Sequence, residues 1–194
     1  MVATVSRSWP GQGGAMMIEL LVALVLVVVG VLGLMQVQSR LHESEVESYQ
    51  RTQALILLND LASRMGANRN DAASYVTAAP LGVGIICADL PATTVQEEDH
   101  IAWCRALQGA AESRSGTDVG AMIGGRGCVQ ETVGPGVREY MITVTWQGLT
   151  PLNAPPAGVA CAAGQYNDAS TGCVDDRCRR YVTTIVRMAD LESI

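Results

Sequence analysis

One carboxylate stands where carboxylates are costly. Glu19 leads the run Leu20 to Met35, LLVALVLVVVGVLGLM, which carries no charge and no proline. A charge entering hydrocarbon costs at least about 2.5 kcal/mol even on the mildest scales, and such residues mark functional contacts by default. The alternative is an interfacial glutamate that reaches back to water. The residues before the run are Gly13-Gly14-Ala15-Met16-Met17-Ile18.

The other residues able to do chemistry lie beyond the run. Six cysteines, Cys87, Cys104, Cys128, Cys161, Cys173 and Cys178, all follow it. An even number in an exported region suggests disulfides whose connectivity a sequence leaves open, and such bonds persist outside the cytoplasm. The pairs expected are Cys87–Cys104, Cys161–Cys178 and Cys128–Cys173. The spacing of Cys173 and Cys178 also suits half a zinc site, but no histidine is near, so a disulfide is expected and no metal or cofactor. Asn167-Asp168 and Asp175-Asp176 offer oxygens to calcium without the regular D-x-D-x-D-G spacing, and read as solvated loop carboxylates. Arg177, Arg179 and Arg180 adjoin Asp175 and Asp176 and read as strand surface. His42 lies on a polar stretch and His100 in an acidic helix start. Neither has a Ser or Cys nucleophile with an orienting group, and no phosphate loop is present, so the chain is not expected to be an enzyme. The net charge of −6 argues against a dedicated nucleic-acid surface.

The elements that must position these residues begin with a long helix. Ala15 to Met35 gives about 30 Å at about 1.5 Å per residue, the thickness of a hydrocarbon core. Arg7 precedes it, whereas Arg40 is soon followed by Glu43, Glu45 and Glu47, which favours the N-terminus inside. From Gln36 to Met65 there is neither Gly nor Pro, and helix formers dominate. Leu55, Leu58, Ala62 and Met65 recur at helical spacing, with Ile56, Leu57 and Leu61 widening the face, until Gly66 or Asn68-Arg69-Asn70 ends the helix. A second helix is expected over 97–111, with acidic residues in its first turn. Gly127 to Thr132 reads as a short strand, Val133-Gly134-Pro135-Gly136 as a turn. In Val137 to Gln147, Tyr140, Ile142, Val144 and Trp146 alternate onto one face. Cys178 to Met188 is a second long strand, expected to pair antiparallel with it. The excursion between them needs a reason for its length, and cysteine bonds closing its base supply one. The fold class is α+β: a long helix on a small antiparallel sheet with disulfide-closed loops.

The N-terminal pattern resembles that of type IV prepilins: a leader ending in glycine, a glutamate five residues on, and a uniformly apolar helix. The resemblance implies cleavage between Gly14 and Ala15 and N-methylation of Ala15, where the family usually has Phe. It implies an α+β, type IV pilin-like fold and assembly through Glu19, which would pair with the Ala15 ammonium of a neighbouring subunit. A secretory signal peptide carries its apolar region before the cleavage site; here it follows, so the cut would leave the anchor in place. The implied organisation is a leader over 1–14, a transmembrane and filament-core helix over 15–36, its amphipathic continuation over 37–69 and a periplasmic head over 70–194. Gly30 and Gly33 would permit close helix contacts in a bundle, although glycine is common in membrane helices generally.

A narrower resemblance lies at the helix end. Gln53, Asp60, Ala62, Arg64, Met65, Ala67 and Asn68 are similar to the Q-x-x-A…D-x-A-x-R-M-x-A-N pattern of the type IV pilus modification protein PilV family. Val144-Thr145-Trp146 and the Arg-rich last strand resemble that family too. What this implies is a minor pilin that primes or joins the pilus and supports adhesion and twitching motility. It would sit in the bacterial inner membrane with its C-terminal domain in the periplasm, then in the pilus near the tip. Implied partners are other minor pilins, the major pilin, a prepilin peptidase, the inner-membrane assembly platform and a tip adhesin, with no nucleic acid. The alternatives are a minor pseudopilin of a type II secretion system, a DNA-uptake minor pilin and a single-pass anchored enzyme that keeps its leader.

Overall fold

The computed structural model describes residues 15–110, 113–114, 117–118, 122–134 and 137–188. The expected leader 1–14, with the cut at Gly14, and the turn residues Pro135-Gly136 lie outside the described residues. Helix α1 runs Ala15–Ala67 as one unbroken element. The chain divides into two compact units, Met1–Ser44 and Glu45–Ile194, so the division falls within α1.

In the first unit the helix is bare. The apolar residues from Met16 to Met35 are all exposed. The helix is long and apolar enough to cross a membrane, and none of its most apolar stretch is buried within the chain. Exposed apolar surfaces of this extent are the kind that mark contact with lipid or with other protein.

In the second unit α1 is part of a core. Gln50, Ala54, Leu58, Leu61 and Met65 are buried, at steps of four, four, three and four that trace one helix stripe. Leu58 and Met65 are as expected. Leu55 and Ile56 are exposed instead, because the stripe centres on Ala54 and Leu61, one residue away from the Leu55–Ala62 line.

The stripe packs in one core with α2 (Val95–Leu107) and an antiparallel sheet. Helix α2 begins two residues before the expected 97 because Thr94 caps it: the Thr94 hydroxyl accepts from Glu97 N–H while the Glu97 carboxylate accepts from Thr94 N–H. Such a capping box satisfies two donors left over at a helix start. Trp103 of α2 is fully buried and its indole Nε1 donates to Leu57 O at 2.9 Å.

The strands are β1 (Leu81–Gly82), β2 (Ser113–Arg114), β3 (Thr117–Asp118), β4 (Arg126–Gly134), β5 (Val137–Gln147) and β6 (Arg179–Met188). β2 and β3 form a small antiparallel pair. The main sheet has the order β1-β4-β5-β6, antiparallel throughout. β5 and β6 pair as expected, from Arg138 opposite Met188 to Gln147 opposite Arg179. Tyr140, Ile142, Val144 and Trp146 are all buried in the core with α1. Gly127 of β4 is where the Trp103 ring lies against the backbone: a Cβ there would come within 2.2 Å of it.

The opposite face of the sheet departs most from expectation. Cys87 pairs with Cys104, but Cys128 pairs with Cys161 and Cys173 with Cys178. The expected Cys161–Cys178 and Cys128–Cys173 pairs are therefore corrected. The base of the excursion after β5 is closed by backbone hydrogen bonds, Gly148 N–H to Cys178 O and Leu152 N–H to Arg177 O, rather than by cysteine bonds, and the Cys128–Cys161 bond staples the excursion to β4. Beneath it, Thr143 and Thr145 are fully buried, and Tyr166 OH lies 2.9 Å from Thr145 Oγ1 and donates to Gly124 O at 2.8 Å. The Arg126 guanidinium stands over the Tyr166 ring at 5.0 Å.

Arg179 is the second correction. It is not strand surface: it is buried, its Nη1 donates to Val159 O and Cys161 O at 2.7 and 2.9 Å, and its Nη2 pairs with Asp176 at 3.1 Å. A rigid planar fork that stays charged can bind two carbonyls and a carboxylate at once, which lets it serve as the hub of this loop. The acidic loop residues are likewise used internally. Asp168 accepts from Ser170 N–H and Oγ–H, and Asp176 accepts from Gly164 N–H. Among the described residues no three His, Cys, Asp or Glu side chains gather as metal ligands.

Candidate functional site: an uncovered carboxylate and a helix-end clasp

Glu19 projects from the first turns of α1 among Ile18, Val22, Ala23 and Leu26. All of these are exposed, so the carboxylate stands in an apolar setting that none of the described residues closes. Gly30 and Gly33 lie further along the same helix, and a Cβ at either would meet nothing within 4 Å. Among the described residues no contact requires either glycine. Ala15, the expected N-methylation position, is the first residue of α1.

The helix-end residues singled out in the sequence are brought together at the other end of α1. Asp60, Arg64 and Asn68 follow one another at steps of four, so they share one face. Arg64 Nε donates to Asp60 Oδ2 at 3.0 Å, and its Nη1 donates to Asp99 Oδ1 of α2 at 2.7 Å. The other Asp99 oxygen accepts from the hydroxyl of Tyr75, and Asn68 Nδ2 donates to that same hydroxyl at 3.0 Å. The Tyr75 side chain is fully buried and sits on the 3-10 turn Arg69–Tyr75 that follows α1. Met65 of the same pattern is fully buried beside the clasp, whereas Gln53 is half-buried.

The electrostatics follow from this geometry. The Asp99 hydrogen bond outweighs partial desolvation and holds the Arg64 guanidinium above its ordinary pKa. Burial, then the hydrogen bond to Asp99, push the Tyr75 phenol up, which keeps it a proton donor at any physiological pH. His100 packs edge-on against the Tyr75 ring, with centroids 5.7 Å apart, and its Nε2 lies 3.1 Å from Tyr75 O. Burial lowers its pKa against the opposing pull of the Tyr75 carbonyl, then of Asp99 and Glu97. The neutral ring is therefore favoured in the folded head. Stability it contributes is lost as pH falls, where the unfolded chain takes the proton first.

A second tie lies lower on the helix. Glu47 Oε1 accepts from Arg180 Nη2 at 3.1 Å and from Leu149 N–H at 3.2 Å, and Arg180 Nη2 also donates to Thr150 O at 2.7 Å. The sequence reading passed over both Asp99 and Glu47 as ordinary acidic residues. Only the fold brings each to an arginine distant in sequence. The clasp and the tie join α1 to α2, to the turn after α1 and to the segment after β5.

The clasp carries a test. Asp99→Asn keeps shape but removes the charge that both Arg64 and Tyr75 address. Leaving such part-buried groups poorly paired costs about 1–3 kcal/mol. Urea unfolding of the variant should show a lower midpoint with an unchanged slope, and an unchanged midpoint would show that the clasp adds nothing.

No family model, curated protein or solved structure matches this chain.

Proposed function

We propose that the chain is a minor type IV pilin of the PilV type, a subunit that primes or joins the pilus and supports adhesion and twitching motility. The observation that carries this reading is the start of α1: an apolar stretch with none of the described residues packed over it and a single carboxylate, Glu19. A helix of this kind that continues without a break into a disulfide-bonded head suits a subunit that first lies in the inner membrane and then enters a filament. In the filament, contacts with lipid are exchanged for contacts between helices, and Glu19 meets the Ala15 ammonium of a neighbour. A prepilin peptidase would cut after Gly14 and methylate Ala15, so the chain is an enzyme's substrate rather than an enzyme. Its partners would be other minor pilins, the major pilin, the inner-membrane assembly platform and a tip adhesin.

The same features would serve a minor pseudopilin of a type II secretion system. Deletion separates the two: loss of surface pili with intact exoprotein secretion supports the pilin reading, and the reverse supports the pseudopilin. A DNA-uptake pilin needs an exposed basic track and salt-sensitive DNA binding.

A further inference from the structure

A cavity of the head opens beside the helix-end clasp. Its volume of about 430 Å³ falls within the range of about 300–1,000 Å³ usual for small-molecule sites. Its walls come from three places: Val76 and Thr77 after the 3-10 turn, Ile85, Ile86 and Asp89 after β1, and His100 of α2. Those walls are tied together. Cys87 is bonded to Cys104 of α2, one helical turn after His100 and on the same face. Gln108 Nε2, just past the end of α2, donates to Gly82 O at 2.9 Å and to Ile85 O at 2.8 Å. The segment after β1 is thus held against α2 whether or not anything fills the cavity, and ligand sites are usually preformed in this way.

Most of the lining is apolar, and its polar side chains divide into one that is occupied and two that are not. The Thr77 hydroxyl is occupied: it accepts from Val129 N–H at 3.0 Å and donates to Val129 O at 3.4 Å. His100 Nε2 lies 3.1 Å from Tyr75 O. A carbonyl has no proton to give, so Nε2 carries it, and in the neutral ring that burial favours Nδ1 presents a lone pair. Asp89 is the one charged side chain in the lining. Among the described residues nothing pairs with the Asp89 carboxylate or with His100 Nδ1. Both free groups are acceptors.

We propose that this cavity binds a small organic cation, an ammonium group carried on a compact apolar body. The apolar walls take the body, and the Asp89 carboxylate and His100 Nδ1 take the protons of the ammonium. The charge picks the ligand. An anion would meet a carboxylate and a lone pair, and no cationic side chain lines the cavity to receive it. A hydrocarbon would leave both acceptors unused, and a small hydrated cation would gain nothing from the apolar walls. Specificity of this kind comes as much from what the site repels as from what it holds. The cavity lies wholly in the head, so it stands or falls apart from the pilus reading.

The test uses the full chain, labelled with nitrogen-15 histidine, in uncharged maltoside micelles at neutral pH, with benzylammonium as the probe. Long-range proton–nitrogen spectra then report two residues, His42 and His100. Alone, His100 should show its proton on Nε2. Benzylammonium should shift the His100 Nδ1 signal saturably, while His42, on α1, stays in place. Benzyl alcohol has the same ring without the charge and should bind about fivefold more weakly, since charge-assisted hydrogen bonds are the stronger kind. Benzoate and methylammonium should give no saturable shift. Asp89 is exposed and unpaired, so Asp89→Asn should leave the thermal midpoint unchanged. It should weaken benzylammonium binding about threefold, the scale of an exposed ion pair, and leave benzyl alcohol unaffected. Equal affinity for the amine and the alcohol, saturable binding of benzoate, or unaltered amine binding by Asp89→Asn would overturn the proposal. So would a His100 proton found on Nδ1. A glycyl-lysyl-glycine peptide that binds about tenfold more tightly than benzylammonium would overturn it as well, by making a side chain of another polypeptide the occupant.

Discussion

Glu19→Ala is expected to leave the chain membrane-inserted and processed, yet to lower its recovery in sheared pili roughly a hundredfold. The estimate follows from charge. In a filament core the Ala15 ammonium would lose its counter-charge, and an unpaired charge in an apolar medium costs about 2.5–3.5 kcal/mol, close to two decades in an assembly equilibrium. Glu19→Asp keeps the charge on a shorter arm and should fall between the two. The structure bears on why the effect should be confined to assembly. Glu19 is flanked by exposed Ile18, Val22, Ala23 and Leu26 and lies outside the head core, so the head should fold as before. Immunoblots of membrane and sheared-pilus fractions check both halves. Equal recovery of the variant in pili would remove Glu19 from assembly.

Trp103→Ala should have the largest effect on the head, a loss of about 3–5 kcal/mol. The ring is fully buried among residues from α1, α2 and the sheet, its indole donates to Leu57 O, and its six-membered ring lies so close to Gly127 that no Cβ fits there. Losing it opens a cavity at the junction of all three elements and leaves a backbone carbonyl of α1 without that donor. Typical stabilities of 5–15 kcal/mol make this a change that thermal unfolding by circular dichroism reads directly. The large-to-small change should be matched from the other side by Gly127→Ala, which forces a methyl into the ring. A midpoint shift of only a degree or two for Trp103→Ala would show that the junction repacks and is not the keystone of the head.

What the sequence disclosed, and what it hid, follows from the range of the interactions involved. Period and composition are local, so the helix from Ala15, the β5 alternation of Tyr140, Ile142, Val144 and Trp146, and the β5–β6 pairing were legible. The packed stripe of α1 was displaced by one residue because Ala54, not the larger Leu55, is buried in the core; periodicity measures a face only to within such a step. The cysteine bonds were mostly hidden. Cys128 and Cys161 are 33 residues apart and meet only because the excursion folds over the sheet. Arg179 was misread for the same reason: a strand arginine beside two aspartates looks like surface until carbonyls from Val159 and Cys161 close over it. The helix-end residues Asp60, Arg64 and Asn68 were visible as a pattern, but their work became visible only with Asp99 and Tyr75 in place.

The most direct measurement of the central claim is the intact mass of the chain purified from its own membranes, with fragmentation of its N-terminus. The account predicts a mature chain that begins at Ala15 and carries one added methyl group on the α-amine. A chain that retains Met1, or one cut anywhere after the apolar run, would contradict it, because then Glu19 would have no neighbouring Ala15 ammonium to meet.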